Sequence, residues 1–263
     1  MLTAALLAGV VSAGLLTAAA PARVDATPLP TKKQGVLTVA LDLGNPGFAE
    51  GTITRAHGFS VDSSRAVATR MGLKVRYVQY PFARLFVPGA KPYDVAFEFV
   101  TILPSRERWV DFSTQYFSTT QGVLVAKDIT GPVTLARLRQ LQMCAHEVRI
   151  GFSYVKDVLQ PEGLVLEYST VTAALNAVAA GICDAFVFDL PALLAAKKET
   201  PARYGAVAGR VGATQYYGAV LRKGSPLRPA VNKAIASLRR EGVFLRIGTK
   251  HFGPALTSTP VIR

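Results

Sequence analysis

Short apolar runs bounded by turn residues alternate along the chain with stretches whose apolar positions recur at helical spacing. Residues 35–43 carry the first run, V-L-T-V-A-L between glycines, the pattern of a strand buried on both faces. The run ends in Asp42 and the turn Gly44-Asn45-Pro46-Gly47-Phe48. Residues 58–71 read as a helix, with Asp62 in the first turn, where a carboxylate suits the helix dipole, and Gly72 at the stop. A strand from Gly72 to Val78 completes a β-α-β unit. Residues 95–100 form another apolar strand, which runs through Thr101 into a Pro104 turn, and a second apolar step follows at 110–112. Beyond Phe117, residues 121–127 (QGVLVAK) read as a crossing strand, 135–141 as a short helix and 142–145 as the start of a second sheet. Residues 169–181 place Val171, Ala174, Leu175 and Val178 on one helix face, with Gly181 as the stop, and 183–189 is the next strand, a second β-α-β unit. Near the end, Leu227, Val231, Ala234, Ile235 and Leu238 form an apolar stripe that Gly242 terminates. Strands alternating with helices predict the α/β class.

Length and composition narrow this picture. With 263 residues, half of them hydrophobic, the chain can build one large domain or two ordinary ones. Thirty Lys and Arg against seventeen Asp and Glu give +13, which raises the question of nucleic acid. The densest basic pairs, Lys32-Lys33, Lys197-Lys198 and Arg239-Arg240, sit at segment edges or on predicted helix faces without interleaved aromatics to stack bases. The charge is therefore read as solvated surface that helps steer anions or dock an acidic partner, and no nucleic-acid partner is expected. Residues 1–22 carry no charge and are rich in Ala, Leu and Val, with A-x-A spacing at Ala18 and Ala20. They read as an export signal peptide or, because the basic n-region is missing, an uncleaved anchor. Residues 23–34 follow as a flexible leader. The two cysteines, 39 positions apart, are an even count in an exported chain, which argues for a bridge. There is no C-x-x-C, and His57, His146 and His251 are far apart in sequence, so neither a metal site nor a cofactor is expected.

Candidate chemistry gathers at Thr101 and Arg106. A turn at the carboxyl end of a strand in an α/β sheet places its side chains in a ligand crevice. There an arginine fork can bind both oxygens of a carboxylate while a hydroxyl and backbone N–H groups complete the shell. The plain alternative is a surface loop in which Arg106 pairs with Glu107 or Asp111.

The string T-I-x-P-x-R-x-x-x-V-D-F-S from Thr101 to Ser113 resembles the carboxylate-binding signature of the periplasmic solute-binding proteins of family three, the amino-acid receptors of ABC importers. The resemblance extends from about Gly35 to Gly253. It includes V-A-x-D, G-F-x-V-D and M-G-L-K-V in the first β-α-β unit, G-x-C-D-A-x-x-x-D ending at Asp189, and residues 216–253 almost throughout. It implies a two-lobed fold of the type II periplasmic-binding-protein class, with two open, mostly parallel sheets joined by a two-strand hinge near 118–122 and 213–218. Lobe 1 would hold 35–120 and 217–253, lobe 2 would hold 121–216, and 254–263 would form a tail. It further implies a monomer in the periplasm that binds a small amino acid or related carboxylate and delivers it to ABC importer membrane subunits. A bridge between Cys144 and Cys183 is implied as well.

By the same match Arg106 and Thr101 hold the ligand carboxylate and Asp189 its ammonium group. Phe48 and either Tyr80 or Phe82 flank its side chain, with Phe82 preferred, although each could as well be a core aromatic. Asp189 could also cap the helix that Pro191 starts. Two departures bear on the ligand. Phe99 stands two before Thr101, where the family usually has a glycine whose carbonyl accepts from the ligand ammonium, with Glu98 before it, and the second-lobe loop that offers N–H groups to the carboxylate is replaced by E-V-R-I-G-F-S at 147–153, where only Gly151 and Ser153 align. Glu98 is expected either to pair with a base such as Arg84 or Arg106, or to join Asp42 in favouring a cationic ligand side chain. An enzyme of the dehydratase kind on the same fold, using Glu98 or Glu147 as an acid, and a ligand sensor for a membrane partner are the alternatives to a transport receptor.

Overall fold

A computed structural model describes residues 28–263. The export segment 1–22 and leader residues 23–27 lie outside the described residues. Strand β1 (Val36–Leu41) is buried at every position but the first, and it pairs in parallel with β2 (Lys74–Gln79) on one side and β3 (Val95–Thr101) on the other. Helix α1 (Phe59–Arg70) makes the first crossover. Its chain leaves through Gly72 at φ +71°, a conformation that L side chains rarely adopt and that lets the helix stop and reverse into β2. After β3 come a single helical turn α2 (Pro104–Glu107), with proline in its first turn where no N–H is needed, and the short strand β4 (Val110–Phe112).

Strand β5 (Phe117–Val125) then leads out of the first lobe. The second lobe contains α3 (Leu135–Gln140), β6 (Met143–His146), α4 (Ile150–Ser153), β7 (Leu166–Tyr168), α5 (Val171–Ala179), β8 (Ala185–Asp189) and α6 (Leu190–Glu199). Thr134 and Thr170 cap α3 and α5 by accepting from Arg137 N–H and Ala173 N–H. Strand β9 (Val207–Arg222) returns to lobe 1, where α7 (Arg228–Arg240) and α8 (Val243–Phe252) follow, and the tail begins with α9 (Ala255–Ser258).

The strands run in the order β2-β1-β3-β9-β5-β8-β6-β7, with β4 on β9. Parallel pairing holds at both ends of this order, and the pairs involving β5 and β9 are antiparallel. The two expected sheets are thus joined into one hydrogen-bonded ladder, because the sixteen-residue β9 pairs with β3 through its second half and with β5 along most of its length.

Cys144 and Cys183 are bridged, with Cα atoms 5.7 Å apart, tying β6 to the turn before β8. Leader residues 28–34 run along lobe 1, where Lys32 N–H donates to Asp94 Oδ1 at 2.8 Å. The tail crosses back: Arg210 N–H donates to Pro260 O, Ile262 N–H donates to Arg210 O, and Ile262 is buried in the lobe 2 core. Among the described residues no helix is long and apolar enough to cross a membrane.

Candidate functional site

The carboxyl ends of β1, β3, β6 and β8 converge between the lobes, and each delivers a charged residue there. β1 ends in Asp42, whose Oδ2 accepts from Phe82 N–H at 3.3 Å, so the acid and the ring that follows β2 are fixed to one another. In β3 the register slips between Ala96 and Val100, and Phe99 takes φ +45°. A left-handed phenylalanine costs on the order of 1–3 kcal/mol and, where found, gathers at functional sites. The bulge turns Phe99 onto Phe48, with centroids 4.2 Å apart and rings stacked.

Arg106 projects from α2. Its Nη1 donates to Thr101 O at 3.0 Å and its guanidinium lies over Phe82 and Phe86 at 5.4 and 5.1 Å. It pairs with neither Glu107 nor Asp111; Asp111 is held instead by Lys223 and the Gly224 N–H. Burial and then the positive charge of Arg149 pull Arg106 down to about 10, which leaves it charged at neutral pH. Thr101 Oγ1 donates to Gln215 Oε1 at 2.9 Å.

Asp189 ends β8. It stands at the N-terminus of α6 but makes no side-chain cap. Its Oδ1 accepts instead from Gln121 Nε2 at 2.9 Å and Tyr217 OH at 2.8 Å, which joins lobe 2 to both hinge strands. Burial raises its carboxyl above the usual range, while Arg149, the two hydrogen bonds and Arg106 act in the opposite direction.

Arg149 follows β6 and occupies the centre of the assembly. It is 4% exposed, and its Cζ lies 3.4 Å from the centroid of Phe82 and 4.5 Å from that of Phe99. Its Nη2 is 3.8 Å from Asp42 Oδ2, and its Nε is enclosed with no hydrogen-bond partner. Burial lowers its pKa; Asp189, Asp42 and Glu98, in that order, oppose the shift. A guanidinium does not surrender its proton in a protein, so the charge persists inside this cage.

Two expectations for Glu98 are corrected. It pairs with neither Arg84 nor Arg106, and it presents no carboxylate to the crevice: both oxygens are enclosed and unpartnered. Burial first, and then the charge of Asp42, raise its carboxyl well above the usual range.

The other expected residues separate. Phe48 is wholly buried among Phe59, Phe99, Tyr217 and Phe252, so it takes the core role that was its alternative. Phe82 reaches the site, and Tyr80 packs on Tyr93 outside it. Asp42 and Phe82 line a cavity of about 360 Å³ at the mouth, with His146, Glu147 and Thr170 opposite. Thr101 and Ser153 line a second cavity of about 370 Å³ on the hinge side, with Gln121 and Gln215. A larger space of about 500 Å³ behind the hinge, beside Arg210 and Arg239, contains no expected residue and no acid.

Sequence reasoning missed Arg149, Gln121, Tyr217 and Gln215. Arg149 was findable, because the strand-end rule that singled out Arg106 applies equally to the residues just beyond β6. The other three lie on hinge strands, where no periodicity tells which face meets the crevice.

The L-cystine-binding protein TcyJ of Escherichia coli strain K12 is 29% identical over 231 residues, 86% of each chain. The ABC transporter arginine-binding protein 1 of the same strain is 25% identical over 202 residues, 74% of this chain and 81% of that one. Among solved structures, an ancestral arginine-binding protein bound to glutamine superposes with a TM-score of 0.72 at 27% identity, covering 84% of this chain and 99% of the other. Residues 37–254 match the profile of a single family, and the chain belongs to it: the bacterial extracellular solute-binding proteins, family 3.

Proposed function

We propose that the protein is an exported periplasmic receptor, acting as a monomer, that takes a small amino acid or related carboxylate between its lobes and delivers it to the membrane subunits of an ABC importer. The observation that carries this reading is Arg106: a planar guanidinium held by Thr101 O and two phenyl rings at the end of β3, with no acidic side chain within salt-bridge distance among the described residues. Such a fork is preorganised for a carboxylate. Asp189, fixed by Gln121 and Tyr217, is the group proposed for the ligand ammonium. The relatives' names, a cystine-binding and an arginine-binding protein, support an amino-acid ligand. Glu98 has both oxygens enclosed, which supports binding over dehydratase-type turnover at that acid.

The test is a thermal-shift screen with the twenty amino acids and small dicarboxylates. A ligand at 100 times its Kd stabilises by about 2.7 kcal/mol, and Arg106→Ala should abolish the shift while leaving the circular dichroism spectrum unchanged. An absence of any shift across the panel, or full binding by Arg106→Ala, would count against the reading.

A further inference from the structure

Asp42, Phe82 and Phe99 all belong to lobe 1, and together they make the walls of a cation cage: two aromatic faces and a carboxylate fixed to one of them. Aromatic faces with an adjacent acid attract a planar cation, most strongly where water is excluded. The cation within these walls is supplied by lobe 2. Arg149 enters from the residue after the β6 turn, immediately before α4, with extended backbone (φ −105°, ψ 162°). Its guanidinium lies between the two rings, 3.8 Å from Asp42, and the acids that act on it are Asp189, Asp42 and Glu98.

The surroundings decide what this guanidinium is for. A side chain placed to seize a ligand anion would stand clear of acids. Arg106 is near enough to feel the charge of Arg149, but Arg149 also has Asp42 at 3.8 Å, Asp189 and the buried carboxyl of Glu98 acting on it, and its Nε is enclosed. An incoming carboxylate would meet Asp42 as well as Arg149. An incoming cation would find the slot filled and would be repelled by a charge that shares the same rings.

We propose that Arg149 is a tethered guanidinium ligand: lobe 2 inserts it into the lobe 1 cage of Asp42, Phe82 and Phe99, so amino acids with cationic side chains are excluded from the site and neutral side chains are admitted. The inference deepens the receptor reading above and rests on it, but its test does not depend on Arg106 or on knowing the natural ligand. It makes Arg149 a specificity-determining residue, and it makes the lobe interface self-complementary, with the cation on one lobe and its cage on the other.

The experiment titrates L-arginine and methylguanidinium into wild type and Arg149→Ala by calorimetry and thermal shift. Arg149→Ala should bind L-arginine at least tenfold more tightly than wild type, and methylguanidinium should raise its Tm while leaving the wild-type Tm unchanged. Adding Phe82→Ala to Arg149→Ala should remove the gain. If Arg149→Ala does not fold alone, its refolding yield with and without methylguanidinium is the readout: rescue supports the cage, and no rescue overturns it. Wild type that binds L-arginine as tightly as the variant, or a folded variant with no gain for either probe, also overturns it. So does a variant that gains nothing for arginine and loses binding of L-aspartate or L-glutamate, since Arg149 would then serve a ligand carboxylate. Failure of the receptor reading looks different, because it appears as absence of any Arg106-dependent binding in wild type.

Discussion

His146 shows what the buried charge of Arg149 imposes on a neighbour. Its Nδ1 lies 2.6 Å from Glu147 O, its ring stacks near Phe188, and burial followed by the repulsion of Arg149 lowers its pKa to about 4. The folded protein therefore keeps this imidazole neutral down to about pH 4, whereas the unfolded chain protonates it near 6.5. Between those values the unfolded state binds more protons, so this residue's contribution to stability falls as pH falls. Over the whole window the loss should reach roughly 2–3 kcal/mol. Asp42, Glu98 and Asp189 have raised pKa values and act with the opposite sign in the acid range, regaining stability as pH drops through their folded pKa values. The total curve thus conceals the histidine, and the difference between wild type and His146→Asn isolates it. Chemical denaturation of both proteins from pH 7 to pH 4 should show wild type losing ground relative to the variant. A difference independent of pH would remove the titration of His146 from the account.

At the level of elements, strongly periodic segments were legible and irregular ones were not. The first β-α-β unit, the helix at α5, strand β8 and the stripe of α7 follow from hydrophobic spacing, because β1 and β8 are continuous apolar runs buried on both faces and α5 and α7 each bury one stripe. The loop at 147–153 was legible only through its place just beyond a strand end: its key side chain is a buried arginine, and no hydrophobic pattern announces a charge whose burial is compensated by partners distant in sequence. Of strand β9 only the crossing near 213–218 was expected, from family resemblance, since G-R-V-G-A-T-Q at 209–215 has weak intrinsic strand character and is held by pairing with β5. The cysteine bridge was an expectation from family resemblance that the structure bears out, and it anchors β6, the strand that positions Arg149. Closing a loop of 39 residues stabilises by roughly 3–4 kcal/mol in the chain-entropy model. Replacing both cysteines by alanine should cost about that much in denaturant unfolding, and faster hydrogen exchange should be confined to β6, β7 and β8. A double variant as stable as wild type would mean that the bridge adds nothing to a loop already fixed by the sheet.

For the whole molecule, the question is what limits motion of one lobe against the other. Two connections are the hinge strands β5 and β9, about which lobes of this architecture open and close. The tail makes a third. From α8 in lobe 1 the chain passes through α9, and residues 259–263 then attach to lobe 2: Arg210 Nε donates to Thr259 O, Arg210 N–H to Pro260 O and Leu135 N–H to Arg263 O. Ile262 fills the space over Gly209, where a Cβ would stand 2.4 Å from Ile262 Cγ1, so Gly209 is required for the tail to seat. A strap attached on both sides of a hinge shortens the range of opening without touching the site. Deleting residues 259–263 should therefore accelerate hydrogen exchange at the Arg210 and Leu135 amides and lower stability by about 2–3 kcal/mol, the worth of one buried isoleucine with its backbone bonds. It should also increase the radius of gyration in small-angle scattering, because the open arrangement is no longer held back. Gly209→Val, which displaces Ile262 while keeping the chain intact, should reproduce the scattering change. Unchanged scattering in both variants, with the amides deprotected, would mean that the tail stabilises lobe 2 alone and that the lobes move on two strands only.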